Sequence, residues 1–248
     1  MSPEPSTAES TSIERGYLPE FVDWILGALI ALSGLTFMVG GSALTFLVDR
    51  EVLAEDIQES PEPAMIMTRE LTQAEMVDVA DALVSWLGAG LLLTGILLVL
   101  FAVMYVIYRH RAHQRAREGE EISSYWAFAV LGGVSTAFLS FVPFSPVLGG
   151  GIAGFLEWHE SDRTVSVGAL AGVLPALPVM ALVVILFGGL MAGMLAVDEG
   201  GLASFFAVVA ILAVFFIAVF AAGLGALGGY LGGWIANRRR TSSESADV

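Results

Sequence analysis

The sequence predicts an all-α, polytopic integral membrane helical bundle with about six membrane helices, one of them a short or re-entrant arm. Three observations carry that expectation. Hydrophobic residues make up 56% of the 248-residue chain and the mean hydropathy is +0.77, more apolar surface than a soluble domain of this size can hide. Several apolar runs exceed the roughly 18 to 20 residues that cross a bilayer. The runs are continuous instead of alternating in apolar and polar residues, which argues against a transmembrane β-barrel.

Charge and cysteine content narrow the class further. The chain has no Cys, so disulfide and thiolate chemistry are excluded. All 11 basic residues are Arg, set against 25 Asp and Glu, and the formal net charge is −14. An acidic, lysine-free surface suits a halophilic protein, because concentrated salt screens the mutual repulsion of the carboxylates. Codon bias toward Arg is the other explanation. The charge speaks against nucleic-acid binding.

Residues 1–20 are rich in Ser, Pro and Glu and lack a basic n-region, so they read as a disordered N-terminal tail and not as a cleavable signal. Residues 21–124 hold two membrane helices, with an acidic extracellular insert at 49–81 and a basic cytoplasmic loop at 109–124. The first span, Phe21 to Val48, opens with Asp23 and Trp24, both tolerated at an interface. The insert carries ten acidic residues, from Asp49 to Asp81, against Arg50 and Arg69. Pro61 and Pro63 break it. Thr72-Gln-Ala-Glu75 fits a capping box, and Met76, Val79, Ala80 and Leu83 follow at helical spacing. Its acidic face is either a solvated surface or a cation-binding one. The second span, Ala82 to Tyr108, runs into Arg109, Arg111, Arg115 and Arg117, and four Arg within nine residues mark a cytoplasmic side.

Residues 125–237 form a glycine-rich four-helix membrane domain, followed by a cytoplasmic tail at 238–248. Its apolar regions are Tyr125 to Trp158, Val165 to Val197 and Ala203 to Asn237, the last ending in Arg238, Arg239 and Arg240. This second basic cluster is also cytoplasmic, so the chain crosses an even number of times between the two clusters. A turn at Pro143 to Pro146 restores that parity by folding the first region into a hairpin. Proline cannot donate a backbone hydrogen bond and disfavours helix in the residue before it, so a turn there is cheap. The arm from Tyr125 to Val142 reaches about 27 Å as a helix and spans the bilayer, whereas Pro146 to Trp158 reaches about 20 Å, short for a core of about 30 Å. Both termini are expected in the cytoplasm of a multi-pass protein of the cell membrane.

Small residues four apart recur in this domain: Ala221, Gly225, Gly229 and Gly233; Gly228 and Gly232; Gly168, Gly172 and Ala176; Gly189 and Gly193; Gly150 and Gly154. That spacing puts them on one helix face and lets backbones approach closely. The faces serve packing within the chain or a homo-oligomer. Val142-Pro-Phe-Ser-Pro-Val-Leu-Gly-Gly-Gly-Ile-Ala-Gly-Phe155, Val167-Gly-Ala-Leu-Ala-Gly172 and Gly225-Ala-Leu-Gly-Gly-Tyr-Leu-Gly-Gly-Trp234 carry a resemblance. Through them residues 125–237 resemble the glycine-rich membrane domain of unknown function 5518, common in halophilic archaea. The resemblance implies four membrane helices here and no activity, and it leaves the first two spans and the acidic insert outside.

Catalytic constellations are absent. His110 and His113 sit among four Arg with no carboxylate to join them, so they read as a membrane-surface anchor and not a metal pair. His159, between Glu157 and Glu160, lies in a short polar loop. Asp23, Glu157 and Asp198 fall at span ends, and the span centres carry only Ser and Thr, such as Thr36, Ser85, Thr94, Ser135, Thr136 and Ser140. Ion-coupled transport is therefore disfavoured. No catalytic residue, cofactor or metal is expected. The leading reading is a non-enzymatic bundle with a structural or partner-binding role, its partners being the lipid bilayer and, where a glycine face serves oligomerisation instead of internal packing, a second copy of itself. The alternative is a permease or channel for a small solute. Its path or hinge would use Ser140, Pro143, Ser145 and Pro146, together with Pro175 and Pro178, as breaks whose backbone could meet a solute.

Overall fold

A computed structural model describes residues 19–59, 65–66, 69–118, 124–158 and 163–244, without the side chains of 65, 66, 69 and 239–244. The expected disordered tail up to residue 18, Pro61, Pro63 and His159 lie outside the described residues. The elements in chain order are α1 (Glu20–Leu47), α2 (Arg50–Glu59), β1 (Met65–Ile66), β2 (Arg69–Glu70), α3 (Gln73–Arg117), α4 (Tyr125–Phe138), α5 (Ser145–Glu157), α6 (Thr164–Ala196) and α7 (Gly200–Glu244). Helices α1, α3, α6 and α7 are each long and apolar enough to cross a membrane.

Local chemistry accounts for the helix starts. Glu20 and Asp23 occupy the first turn of α1, where negative charge meets the positive end of the helix dipole. The Ser33 and Thr36 hydroxyls donate to the carbonyls of Leu29 and Leu32, 3.0 Å in each case, so neither leaves an unmet polar group on an apolar helix. The Val52 N–H donates to Asp49 Oδ1 at 2.9 Å, an N-cap for α2. The two-residue strands pair antiparallel, Met65 with Glu70 and Ile66 with Arg69. Helix α3 begins with reciprocal capping bonds: the Thr72 N–H donates to Glu75 Oε2 at 2.8 Å and the Glu75 N–H to Thr72 Oγ1 at 3.3 Å.

Three boundaries differ from the sequence expectation. The basic segment after Tyr108 is not a loop through residues 109–117: α3 runs unbroken to Arg117. No proline interrupts it, and Arg115 and Arg117 in its last turn complement the negative end of the dipole. Helix α6 is likewise continuous through Pro175 and Pro178, so this pair does not break it. In an apolar environment unwinding would strand many backbone groups, whereas each proline forfeits a single donor.

The third difference concerns the hairpin. Its first arm ends at Phe138, not Val142, so α4 and α5 have 14 and 13 residues. At 1.5 Å per residue they reach about 21 and 20 Å, and both are short for a core of about 30 Å. The chain turns early because Pro143 cannot extend a helix and disfavours helix at Val142. The Val142 N–H instead donates to the Leu139 carbonyl at 2.8 Å, and Phe144 adopts a left-handed conformation with φ 63° at the start of α5.

The described residues form two compact units, one built from the chain up to Ala28, Val103–Pro175 and the part from Phe220 onward, the other from Leu29–Ala102 and Ala176–Val219. In the first, Phe128 and Ala129 of α4, Ala153 of α5, and Val167 and Ala171 of α6 make a buried core. Helices α5, α6 and α7 meet there backbone to backbone. A Cβ on Gly154 would stand 2.6 Å from Gly229 Cα, and one on Gly168 also 2.6 Å from it. In the second unit α1 packs on α3, where a Cβ on Gly34 would lie 2.8 Å from the Gly95 carbonyl oxygen.

A Gly154→Leu substitution is expected to lower stability by at least about 1–3 kcal/mol, the usual range for overpacking. Gly223→Leu is expected to be close to neutral, because a Cβ at Gly223 meets nothing within 4 Å. Thermal unfolding of the two variants in detergent checks the contrast.

Candidate functional site

The most concentrated polar geometry among the described residues lies in the first unit, between the start of α1 and the end of α3. Tyr105, Arg109 and His113 recur every fourth residue on α3 and so share one face. All three donate to Asp23 of α1. The Tyr105 hydroxyl reaches Oδ1 at 2.8 Å, while Arg109 Nε and His113 Nε2 reach Oδ2 at 2.9 and 2.8 Å. The side chains of Asp23 and Arg109 are 3% and 2% exposed. A second layer is more open: Glu20 pairs with His110 at 3.1 Å and with Arg117 at 3.2 Å, and Gln114 Nε2 lies 3.1 Å from His110 Nε2.

This arrangement is a clasp. Its carboxylate accepts from three donors and is compensated by a buried guanidinium, so it fixes the register of α1 against α3. A buried ion pair of this kind gives little net stability but is costly to break on one side. It also corrects the reading of His110 and His113, since Glu20 and Asp23 are the carboxylates that join them. Those partners stand 90 residues away in sequence, so local spacing carried no sign of the contact. The periodic Tyr105, Arg109 and His113 were the legible half. Among the described residues no group of three His, Asp or Glu is placed to hold a metal ion.

The remaining topology-setting arginines divide. Arg111 and Arg115 are exposed and form no ion pair among the described residues. The guanidinium carbon of Arg238 stacks 3.8 Å from the centroid of the Trp234 ring. Arg239 and Arg240 continue α7.

Four residues of the alternative solute path, Ser140, Pro143, Ser145 and Pro146, lie within one short stretch of chain. Ser140 and Pro143 are exposed in the turn between α4 and α5, and Ser145 is buried at the start of α5 beside Pro146. Pro175 belongs to the first unit and packs under α4, where a Cβ on Gly133 would be 3.5 Å from Pro175 Cδ. Pro178 belongs to the second unit.

The glycines fall on helix contacts. Gly150 and Gly154 of α5 face Gly225 and Gly229 of α7, which also face Gly168 and Gly172 of α6. Gly233 faces Thr164, while Gly189 and Gly193 face Leu83 and Val79 of α3 in the second unit.

Replacing Asp23 by Leu is expected to cost about 3–5 kcal/mol, because Arg109 is then left buried without a counter-charge. The double variant Asp23→Leu/Arg109→Met is expected to recover most of that loss. A double-mutant cycle read by thermal unfolding measures it.

No curated protein and no solved structure matches the chain. Residues 126–235, which run from α4 to the last turns of α7 and leave the Asp23 clasp outside, match the family of unknown function DUF5518.

Proposed function

We propose that this integral membrane protein is a non-enzymatic, glycine-zippered bundle with a structural or partner-binding role, embedded in the cell membrane with both termini in the cytoplasm. The observation that supports it is the seam at which α5, α6 and α7 touch through bare backbone at Gly154, Gly168, Gly225 and Gly229. Such contact is the means by which helices associate where lipid removes the hydrophobic drive. Two concavities of the first unit, one along α3 and one between α5 and α7, are lined by other residues than Ser140, Ser145 and Pro175. The acidic, lysine-free composition fits work in concentrated salt.

In this reading α1, α3, α6 and α7 cross, and the α4–α5 hairpin enters from the cytoplasmic side and returns to it. Four crossings keep both Arg clusters inside, as the positive-inside rule requires. The same hairpin is what favours the second reading, a permease or channel, since non-spanning helices at membrane depth often line a solute path.

The chain has no native Cys, so single cysteines report topology directly. Glu59→Cys and Gly200→Cys are expected to react with a membrane-impermeant thiol reagent from outside, and Gln114→Cys from inside. Phe141→Cys, in the hairpin turn, is expected to resist the reagent from both sides. Labelling of Phe141→Cys from outside would replace the re-entrant hairpin with two full crossings. Proteoliposomes carrying the protein are expected to leak small solutes no faster than empty ones. A solute-selective flux abolished by substitution at Ser145 would establish the permease instead.

A further inference from the structure

Between α5 and α7 the first unit carries an open groove of about 430 Å³ whose walls include Val147, Gly151, Phe155, Gly228, Leu231 and Ile235. Its lining is apolar throughout. Leu231 and Ile235 on its rim remain 45% and 44% exposed. The two helices run in the same direction along it, since Gly228 faces Val147 and Gly232 faces Gly151. One turn past Ile235 on the same α7 face stands Arg238, exposed and stacked on Trp234. Arg239 and Arg240 follow.

One glycine in the groove has no packing reason to be a glycine. Gly150 and Gly154 could not carry a Cβ without striking α7 backbone. A Cβ at Gly151 would meet a single atom, the Gly228 carbonyl oxygen, at an ordinary 3.6 Å. The missing side chain there leaves room open that the bundle itself does not fill. An apolar groove with the Arg238 guanidinium one turn beyond its end is complementary to one chemistry, a hydrocarbon chain joined to an anionic head.

We infer that this groove is a binding site for an anionic membrane lipid. One acyl chain lies over Gly151 between α5 and α7, and the headgroup phosphate sits at Arg238. Arginine suits that end, because its planar fork meets phosphate oxygens in pairs and its stack on Trp234 holds it in place. The inference rests on the proposed membrane embedding but not on the absence of transport, and its readout is lipid retention, not flux.

The test uses the full chain in detergent, supplied with phosphatidylglycerol or with phosphatidylcholine of the same acyl chains, and native mass spectrometry counts retained lipid. The wild type is expected to hold one phosphatidylglycerol and to prefer it to phosphatidylcholine by about fivefold, the effect of one interfacial Arg on an anionic headgroup. Gly151→Leu, which fills the groove, is expected to lose that lipid while keeping wild-type helicity. Arg238→Gln is expected to keep a lipid but lose the preference for the anionic one, and it reads the site even where Gly151→Leu fails to fold. Gly223→Leu serves as the control and should retain lipid as the wild type does. Retention unchanged in both Gly151→Leu and Arg238→Gln would overturn the site. So would a wild-type dimer that Gly151→Leu dissociates without change in bound lipid, since the occupant would then be a second copy.

Discussion

The structure of the first unit depends on the distance at which α7 can approach α5 and α6. Gly225 and Gly229 face glycines of both neighbours, so one stretch of α7 backbone serves two interfaces. Helices surrounded by lipid gain nothing from burying apolar side chains against each other, and dispersion between closely spaced backbones takes over that role. A methyl group at Gly154 or Gly168 would be 2.6 Å from Gly229 Cα, and no rotamer change relieves a clash with backbone. In the second unit the two kinds of contact coexist: a Cβ on Gly34 or on Gly95 would strike the other's carbonyl oxygen, at 2.8 and 2.5 Å, whereas Gly189 and Gly193 first meet the side chains of Leu83 and Val79.

The same closeness explains how two half-length helices persist. In the proposed embedding α4 and α5 lie at membrane depth, where the backbone groups of the turn between them need partners within the protein. Packing holds the two arms. Ala129, Ala153 and Ala171 are fully buried at 0% exposure where α4, α5 and α6 meet, and the turn closes on its own carbonyls through Ser140 and Val142. The prolines set where the hairpin bends, and the small residues beside it determine that it can.

The clasp at Asp23 works by a different principle. Glycine contacts favour closeness along a whole helix face but discriminate poorly between registers. One buried carboxylate held by Tyr105, Arg109 and His113 does discriminate, because a shift of one residue would leave both charges unpaired. The pairing also converts part of a basic segment that seemed to be plain surface into an internal tie, leaving Arg111 and Arg115 exposed on the same helix.

Composition, hydropathy and basic clusters alone determined the all-helical membrane class, the hairpin at Pro143 to Pro146 and the glycine positions that lie against other helices. Each of those follows from the solvent or from neighbours within a turn or two along the chain. Only the tertiary structure decided that the first hairpin arm is as short as the second, that α6 ignores Pro175 and Pro178, and that Glu20 and Asp23 reach His110 and His113 across some 90 residues of sequence. Those outcomes depend on which helix stands beside which. Glycine spacing shows that a helix has a close neighbour without saying which neighbour it is, and a carboxylate's partner is chosen by the packing that brings two distant helix ends together.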